Sequence, residues 1–342
     1  MKICIVGAGA IGGYLGAKLA LAGEAVTLIA RGSHLEAMQK NGLKLMLADH
    51  SSQVAVPTLV TNDFTQAGAQ DVVILAVKAQ SLQAIASSLP ALYHSQTMVV
   101  TAQNGVPWWY FRKHGGEYEG TRIQSVDPEG IIETHIGAER VIGCVVYPAA
   151  EIVAPGVIQH IEGDRFTLGE IDGTKSDGET PAKSDRIQSL AQAFKQAGFR
   201  APIRNQIRTE IWVKLWGNVA FNPISALTGA TLEAIAQYPP TRELARQIMT
   251  EAQAIAEKLG VNFGISLEQR INGAEKVGAH KTSMLQDIEA GRPTEIDAIV
   301  SAIVELGKLT QIPTPHIDAL CASVKLLEAT KANLKGEKSK SP

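Results

Sequence analysis

Six residues near the amino terminus, Gly7-Ala8-Gly9-Ala10-Ile11-Gly12, limit what this chain can become. They follow Lys2 to Val6 (KICIV), an apolar, β-branched run that reads as a strand buried on both faces. Behind them, Tyr14 to Ala22 places Leu15, Leu19 and Ala22 at helical spacing, and Gly23 closes the helix. A Gly-x-Gly-x-x-Gly turn set between strand and helix predicts a dinucleotide-binding site made by all six residues. Gly7 serves the tight turn, Gly9 lets the backbone approach a pyrophosphate, and Gly12 lets helix and strand pack closely. The helix then presents free N–H groups and its positive dipole end to the phosphates.

A second strand, Ala25 to Ile29, completes the β-α-β unit and ends in Ala30-Arg31. An NAD site would place Asp or Glu here for the ribose hydroxyls. A guanidinium suits a 2′-phosphate instead, so Arg31 predicts NADP(H) as the cofactor.

A length of 342 residues predicts two domains, and 45% hydrophobic residues supply their cores. The net charge of −2 gives no pull toward nucleic acid or an anionic membrane. Cys4, Cys144 and Cys321 are widely spaced and odd in number, which fits reduced thiols in the cytoplasm and no metal site. Cys4 lies inside the first strand and reads as a core residue. Cleavage after Ala22, as in a signal peptide, would remove the glycine turn, so that reading is rejected. No apolar run reaches membrane-spanning length.

Further strands are expected at 71–77, 97–102, 141–147, 156–161, 165–168 and 199–203, with helices at 33–41, 81–89 and 186–196. Lys78 and Asn104 stand at the carboxyl ends of two of these strands, where doubly wound sheets bind ligands. Asn104-Gly105 is equally a turn signal. The cluster Trp108-Trp109-Tyr110-Phe111 reads as packing. From Asn205 the periodicity is helical almost throughout. The expected organisation is therefore α/β: a Rossmann-type domain over 1–205, an all-helical domain over 206–330, and a disordered polar tail over 331–342. The stretch 171–184 reads as a polar loop. The apolar helices beyond residue 240 leave a homodimer or the domain's own core as readings, with the dimer preferred.

Two stretches of the helical half are chemically distinctive. In Ile211 to Asn222 (IWVKLWGNVAFN), Lys214, Asn218 and Asn222 are four apart and share one face of an otherwise apolar helix. A buried lysine is costly unless paired or facing a wet cleft. In Thr282 to Asp297, a short helix ends near Gly291, Thr294 reads as an N-cap, and Glu295 falls in the first turn beyond it. Ser283 and Glu295 are expected near one another. By itself Glu295 is explained by the helix dipole.

Taken in order, GAGAIG, Arg31, Lys78-Ala79, Gln103-Asn104-Gly105, Lys214-x-x-x-Asn218-x-x-x-Asn222-Pro223, Ser283-Met-Leu-Gln-Asp and Thr294-Glu-Ile-Asp resemble the ketopantoate reductase family over residues 1 to about 325. That resemblance implies NADPH-dependent reduction of 2-dehydropantoate to (R)-pantoate, on the way to pantothenate. It implies Lys214 as proton donor and Glu295 beside active site and cofactor. Asn218, Asn222 and Ser283 become substrate residues, Asn104 a residue near nicotinamide and substrate, and Lys78 a cofactor residue. His280 and the long 106–140 segment depart from the family pattern, which bears on the substrate. Three rival readings stay open: a family member acting on another 2-oxo acid, a β-hydroxyacid dehydrogenase, and a non-catalytic NADP(H)-binding regulator. Chemically, negative charge grows on the ketone oxygen as hydride arrives, and an ammonium can stabilise and then protonate it.

Overall fold

A computed structural model describes residues 1–172 and 184–338. The expected polar loop at 171–184 falls almost wholly outside these residues. The chain divides into two compact units. The first holds Met1–Gln103, Pro107–Arg122 and Glu129–Glu210; the second holds Asn104–Val106, Ile123–Pro128 and Ile211–Pro342.

The first unit opens with β1 (Lys2–Val6), α1 (Ala10–Leu21), β2 (Ala25–Ile29) and α2 (Gly32–Asn41). The hairpin β3 (Leu43–Met46) and β4 (Ser52–Ala55) follows, then β5 (Leu59–Thr61), α3 (Phe64–Ala67), β6 (Val72–Leu75), α4 (Ala79–Ile85) and β7 (Met98–Thr101). Next come α5 (Ile131–Ile136), β8 (Val141–Val146), β9 (Ala149–Ala154), β10 (Val157–Glu162), β11 (Phe166–Glu170) and α6 (Asp185–Gln196). Seven strands form one sheet in the order β11-β8-β7-β6-β1-β2-β5. All its pairs are parallel except β11 on β8. Strands β1, β6 and β7 are buried nearly end to end, as a sheet covered on both faces requires. Their carboxyl ends are neighbours and carry the glycine turn, Lys78 and Gln103. A second sheet runs β4-β3-β10-β9.

Two strand expectations need correction. Phe199 to Ile203 makes only isolated bridges, Arg165 to Arg200 and Leu168 to Ile203. Pro202 has no N–H to give a ladder. Strand β9 lies where no strand was expected and is mostly exposed; its pairing with β10 creates it. The aromatic cluster is packing, since Trp108, Trp109, Tyr110 and Phe111 are all buried. Trp109 Nε1 donates to Thr101 Oγ1 at 3.0 Å. The buried guanidinium of Arg208 donates to the carbonyls of Tyr110, Ile171 and Arg112 at 2.6–2.8 Å and so anchors this segment.

The long helix α7 (Ile207–Thr228) leads into the second unit. It is followed by α8 (Leu232–Gln237), α9 (Pro239–Lys258), α10 (Leu267–Lys276), α11 (Ser283–Glu289), a π turn at Asp297–Ser301, α12 (Ala302–Thr310) and α13 (Pro315–Lys338). Where a disordered tail was expected from 331, α13 continues to Lys338; Lys and Ala are good helix formers. Residues 339–342 lie outside the described residues. No helix among the described residues is long and apolar enough to cross a membrane. The second unit also takes in two short pieces that precede it in sequence. Gln124 N, Ser125 N and Ser125 Oγ all donate to the Glu305 carboxylate at 2.6–2.9 Å.

Candidate active site

In the first unit, the three glycines of the turn differ in surroundings as their predicted duties require. Gly7 has φ +99°, and a Cβ there would press on the Val77 amide nitrogen at 2.8 Å. A Cβ on Gly12 would run into the Gly7 carbonyl and stand 3.0 Å from Ala76 Cβ. A Cβ on Gly9 would meet nothing within 4 Å, so this position opens on space that a pyrophosphate can fill. Gly7 N and Ala8 N donate to Ile29 O at 3.1 and 3.0 Å, which ties the turn to β2. Helix α1 starts with no side-chain cap and no acidic residue in its first turn. The N–H groups of Ala10, Ile11 and Gly12 are thereby left for an anion. Behind the turn, Gly156 N donates to His34 Nδ1 at 2.9 Å, so Nε2 carries the proton it gives to Ala8 O at 2.9 Å. Burial lowers the pKa of this imidazole.

Arg31 follows β2 as the exposed N-cap of α2, with no ion pair among the described residues. Lys78 is the half-buried N-cap of α4, past the end of β6. Gln103 closes the same edge by donating from Nε2 to Val77 O at 2.9 Å. These residues suit a phosphorylated dinucleotide. Cys4 is buried, which pushes its thiol up to about 12 and removes it as a nucleophile. Among the described residues no cluster of His, Cys, Asp and Glu could hold a metal ion.

In the second unit, α7 is almost wholly apolar: Trp212, Leu215, Trp216, Val219 and Phe221 are buried. Lys214 stands on it half-buried. Its Nζ donates to Asn104 Oδ1 at 2.7 Å, and Asn104 Nδ2 donates to Glu295 Oε2 at 3.0 Å. The amide thus turns its oxygen to the ammonium and its NH2 to the carboxylate, an orientation with one solution. Asn104 is therefore more than a turn former, and Glu295 more than a dipole partner. The chain holds Asn104 in place through its neighbours. Val106 N donates to Ala298 O at 2.8 Å, and Gly105 (φ +89°) lies so close that a Cβ would stand 2.5 Å from the Ala298 carbonyl carbon. Ala298 was not singled out in the sequence, where Gly105 stands out only as part of the Gln103-Asn104-Gly105 stretch.

Asn218 and Asn222 extend the same helix face. Neither amide has a hydrogen-bond partner among the described residues, and Asn222 is only 5% exposed. Amides of this kind can bind a hydroxyl or carbonyl ligand. Ser283 is placed differently. It is the exposed first residue of α11, behind the Thr282 cap, and no hydrogen bond joins it to Lys214, Asn104 or Glu295. Thr294 does behave as a cap, its Oγ1 accepting from Ile296 N at 3.2 Å, but a π turn follows rather than a regular helix. His280 is half-buried, and its carbonyl accepts from Leu232 N at 3.0 Å.

Comparison with known proteins agrees across both halves. The family model described as ketopantoate reductase PanE/ApbA matches residues 3–173, and its C-terminal counterpart matches 206–328. The 2-dehydropantoate 2-reductase of Mesorhizobium japonicum is 55% identical over 328 residues, covering 96% of this chain and 98% of that one. A solved structure from Ralstonia solanacearum MolK2 is 43% identical with a TM-score of 0.89, over 96% and 98% of the two chains. The 2-dehydropantoate 2-reductase structure from Geobacter metallireducens GS-15 is 29% identical with a TM-score of 0.80, over 96% and 100%. Matches to both halves favour this family over the β-hydroxyacid dehydrogenases and over a non-catalytic regulator.

Proposed function

The chain belongs to the ketopantoate reductase family, and from that premise we propose how its residues carry out the reduction of 2-dehydropantoate to (R)-pantoate with NADPH. NADPH, when bound, supplies the hydride. The glycine turn from Gly7 to Gly12 holds its pyrophosphate on the N-terminus of α1. Arg31 takes the 2′-phosphate, and Lys78 adds a second cation to the same ligand.

Lys214 is the proton donor. Its ammonium meets the ketone oxygen, offsets the negative charge as it grows, and gives up a proton to the alkoxide. Asn104 holds the ammonium in line through the 2.7 Å bond, and Glu295 holds Asn104. Asn218 and Asn222 bind the substrate's hydroxyl and carbonyl oxygens without neutralising the lysine. Ser283 binds near the substrate carboxylate. The observation that carries this reading is the hydrogen-bond chain that runs from Lys214, on an apolar helix, through Asn104 to Glu295, with the asparagine amides of Asn218 and Asn222 along the same helix face.

The test is NADPH oxidation followed by absorbance against a panel of 2-oxo acids. Turnover of ketopantoate above the rest is expected; turnover of none, or a preference for another 2-oxo acid, overturns the assignment. We place the enzyme in the cytoplasm, with the three free cysteines in keeping. A homodimer is our proposal for its assembly, read by light scattering on the purified protein.

A further inference from the structure

His34, on α2, reaches the glycine turn from outside it. Its Nε2 donates to the Ala8 carbonyl at 2.9 Å, and its Nδ1 accepts from Gly156 N at 2.9 Å. Gly156 lies in the turn between β9 and β10 with φ +73°, and its own carbonyl accepts from Lys44 N at 2.9 Å. A Cβ on Gly156 would stand 3.0 Å from Ala37 Cβ, so this turn is pressed against α2. The imidazole is thus braced by the second sheet at one nitrogen and grips the glycine turn with the other. Its helix is the one that Arg31 caps, three residues earlier.

The Ala8–Gly9 peptide leads directly into α1, whose N-cap is Gly9. In a trans peptide the C=O and the N–H point in opposite directions. Gly9 has no Cβ to resist rotation, so this unit can turn over at little cost. Turned over, it would show an anion at the amino end of α1 a carbonyl oxygen in place of an N–H, against the pull of the helix dipole. The bond from His34 pins the oxygen on the α2 side and leaves the Gly9 N–H facing away from it. We propose that His34 is a positioning residue for the cofactor, holding the Ala8–Gly9 peptide in the one sense that receives the pyrophosphate. The inference rests on the dinucleotide reading given above and deepens it.

The experiment measures Kd for NADPH and for NADH on the full chain by nicotinamide fluorescence, without substrate, and Tm by calorimetry. Absence of NADPH binding by the wild-type chain sinks the dinucleotide reading and this inference with it; the variants test His34 alone. His34→Asn sets an amide oxygen where Nδ1 stood, so it can keep the Gly156 bond, but it is too short for the Ala8 carbonyl. His34→Gln carries its NH2 as many bonds out as Nε2, so it can keep the Ala8 bond while releasing Gly156. Each variant gives up one hydrogen bond, so a purely structural histidine would lower Tm and affinity together in both. His34→Asn is expected to raise Kd about 3- to 12-fold, as for the loss of one hydrogen bond, and equally for NADPH and NADH because they share the pyrophosphate. In His34→Gln both constants should stay within about twofold of wild type. A Kd within about twofold of wild type in His34→Asn overturns the proposal. So does a loss in His34→Gln as large as in His34→Asn, or a loss confined to NADPH, which would assign the effect to Arg31.

Discussion

On the proposed mechanism, replacing Lys214 with Ala removes one group that performs two tasks. A positioned proton donor is worth about 10²–10⁴ in rate, and a donor aimed at the oxyanion about 10²–10³. The tasks overlap in one ammonium, so their effects do not multiply. The expected fall in kcat is about 10³–10⁴, or about 4–5.5 kcal/mol at 1.36 kcal/mol per tenfold. The helix should survive, since Ala is the best helix former and a half-buried charge is removed rather than added. Asn104 loses its 2.7 Å partner but keeps Glu295 at 3.0 Å, so the loop at 104–106 stays attached through Glu295 and Ala298. The assay is single-turnover NADPH oxidation at saturating ketopantoate, with cofactor affinity read separately by nicotinamide fluorescence. A kcat within about tenfold of wild type would refute the role given to the lysine, as would NADPH affinity falling in step with rate.

Arg31→Ala should weaken NADPH about 10- to 100-fold and NADH little, as one charge-assisted contact to the 2′-phosphate is lost; equal losses for both cofactors would show that Arg31 does not read that phosphate. Gly12→Ala forces a Cβ onto the Gly7 carbonyl, so NADPH binding should vanish or the protein should fail to fold, and calorimetry showing an unchanged Tm with intact binding would contradict the packing argument. Arg208→Met strips three carbonyls, two of them buried, of their donor, at about 1–3 kcal/mol for each buried one, and should lower Tm by roughly 10 °C; an unchanged Tm would show that water replaces the guanidinium. His34 is neutral when folded, with a pKa below the ordinary 6.5, so the unfolded chain binds its proton first on acidification. Its contribution is full above that value and is lost as pH falls below it, so the drop in Tm between about pH 7.5 and pH 5.5 should be smaller in His34→Gln than in wild type.

The parts of the fold that were legible in the sequence are local. The turn from Gly7 to Gly12 declared itself because strand, glycines and helix are contiguous, and each glycine's surroundings match its expected duty. Lys214, Asn218 and Asn222 declared themselves because helical spacing puts polar residues on an apolar helix. What escaped depends on partners far along the chain. Local pattern explains Glu295 as an ordinary first-turn acid; only the family resemblance pointed to it, and its partner is an amide 191 residues away. Strand β9 owes its form to β10, and the expected strand at 199–203 failed on one proline. The π turn at Asp297–Ser301 has no signature in composition at all.

The two short pieces 104–106 and 123–128 have a practical consequence for anyone who would take the protein apart. A single cut near residue 205 yields a carboxyl-terminal fragment without the amide that clamps the lysine, and without the N–H groups that satisfy the Glu305 carboxylate. Such a fragment would start life with a loosened ammonium and an unsolicited negative charge. Transplanting this helical half onto a different nucleotide-binding partner would therefore mean carrying nine earlier residues along with it, stitched into the recipient at two places.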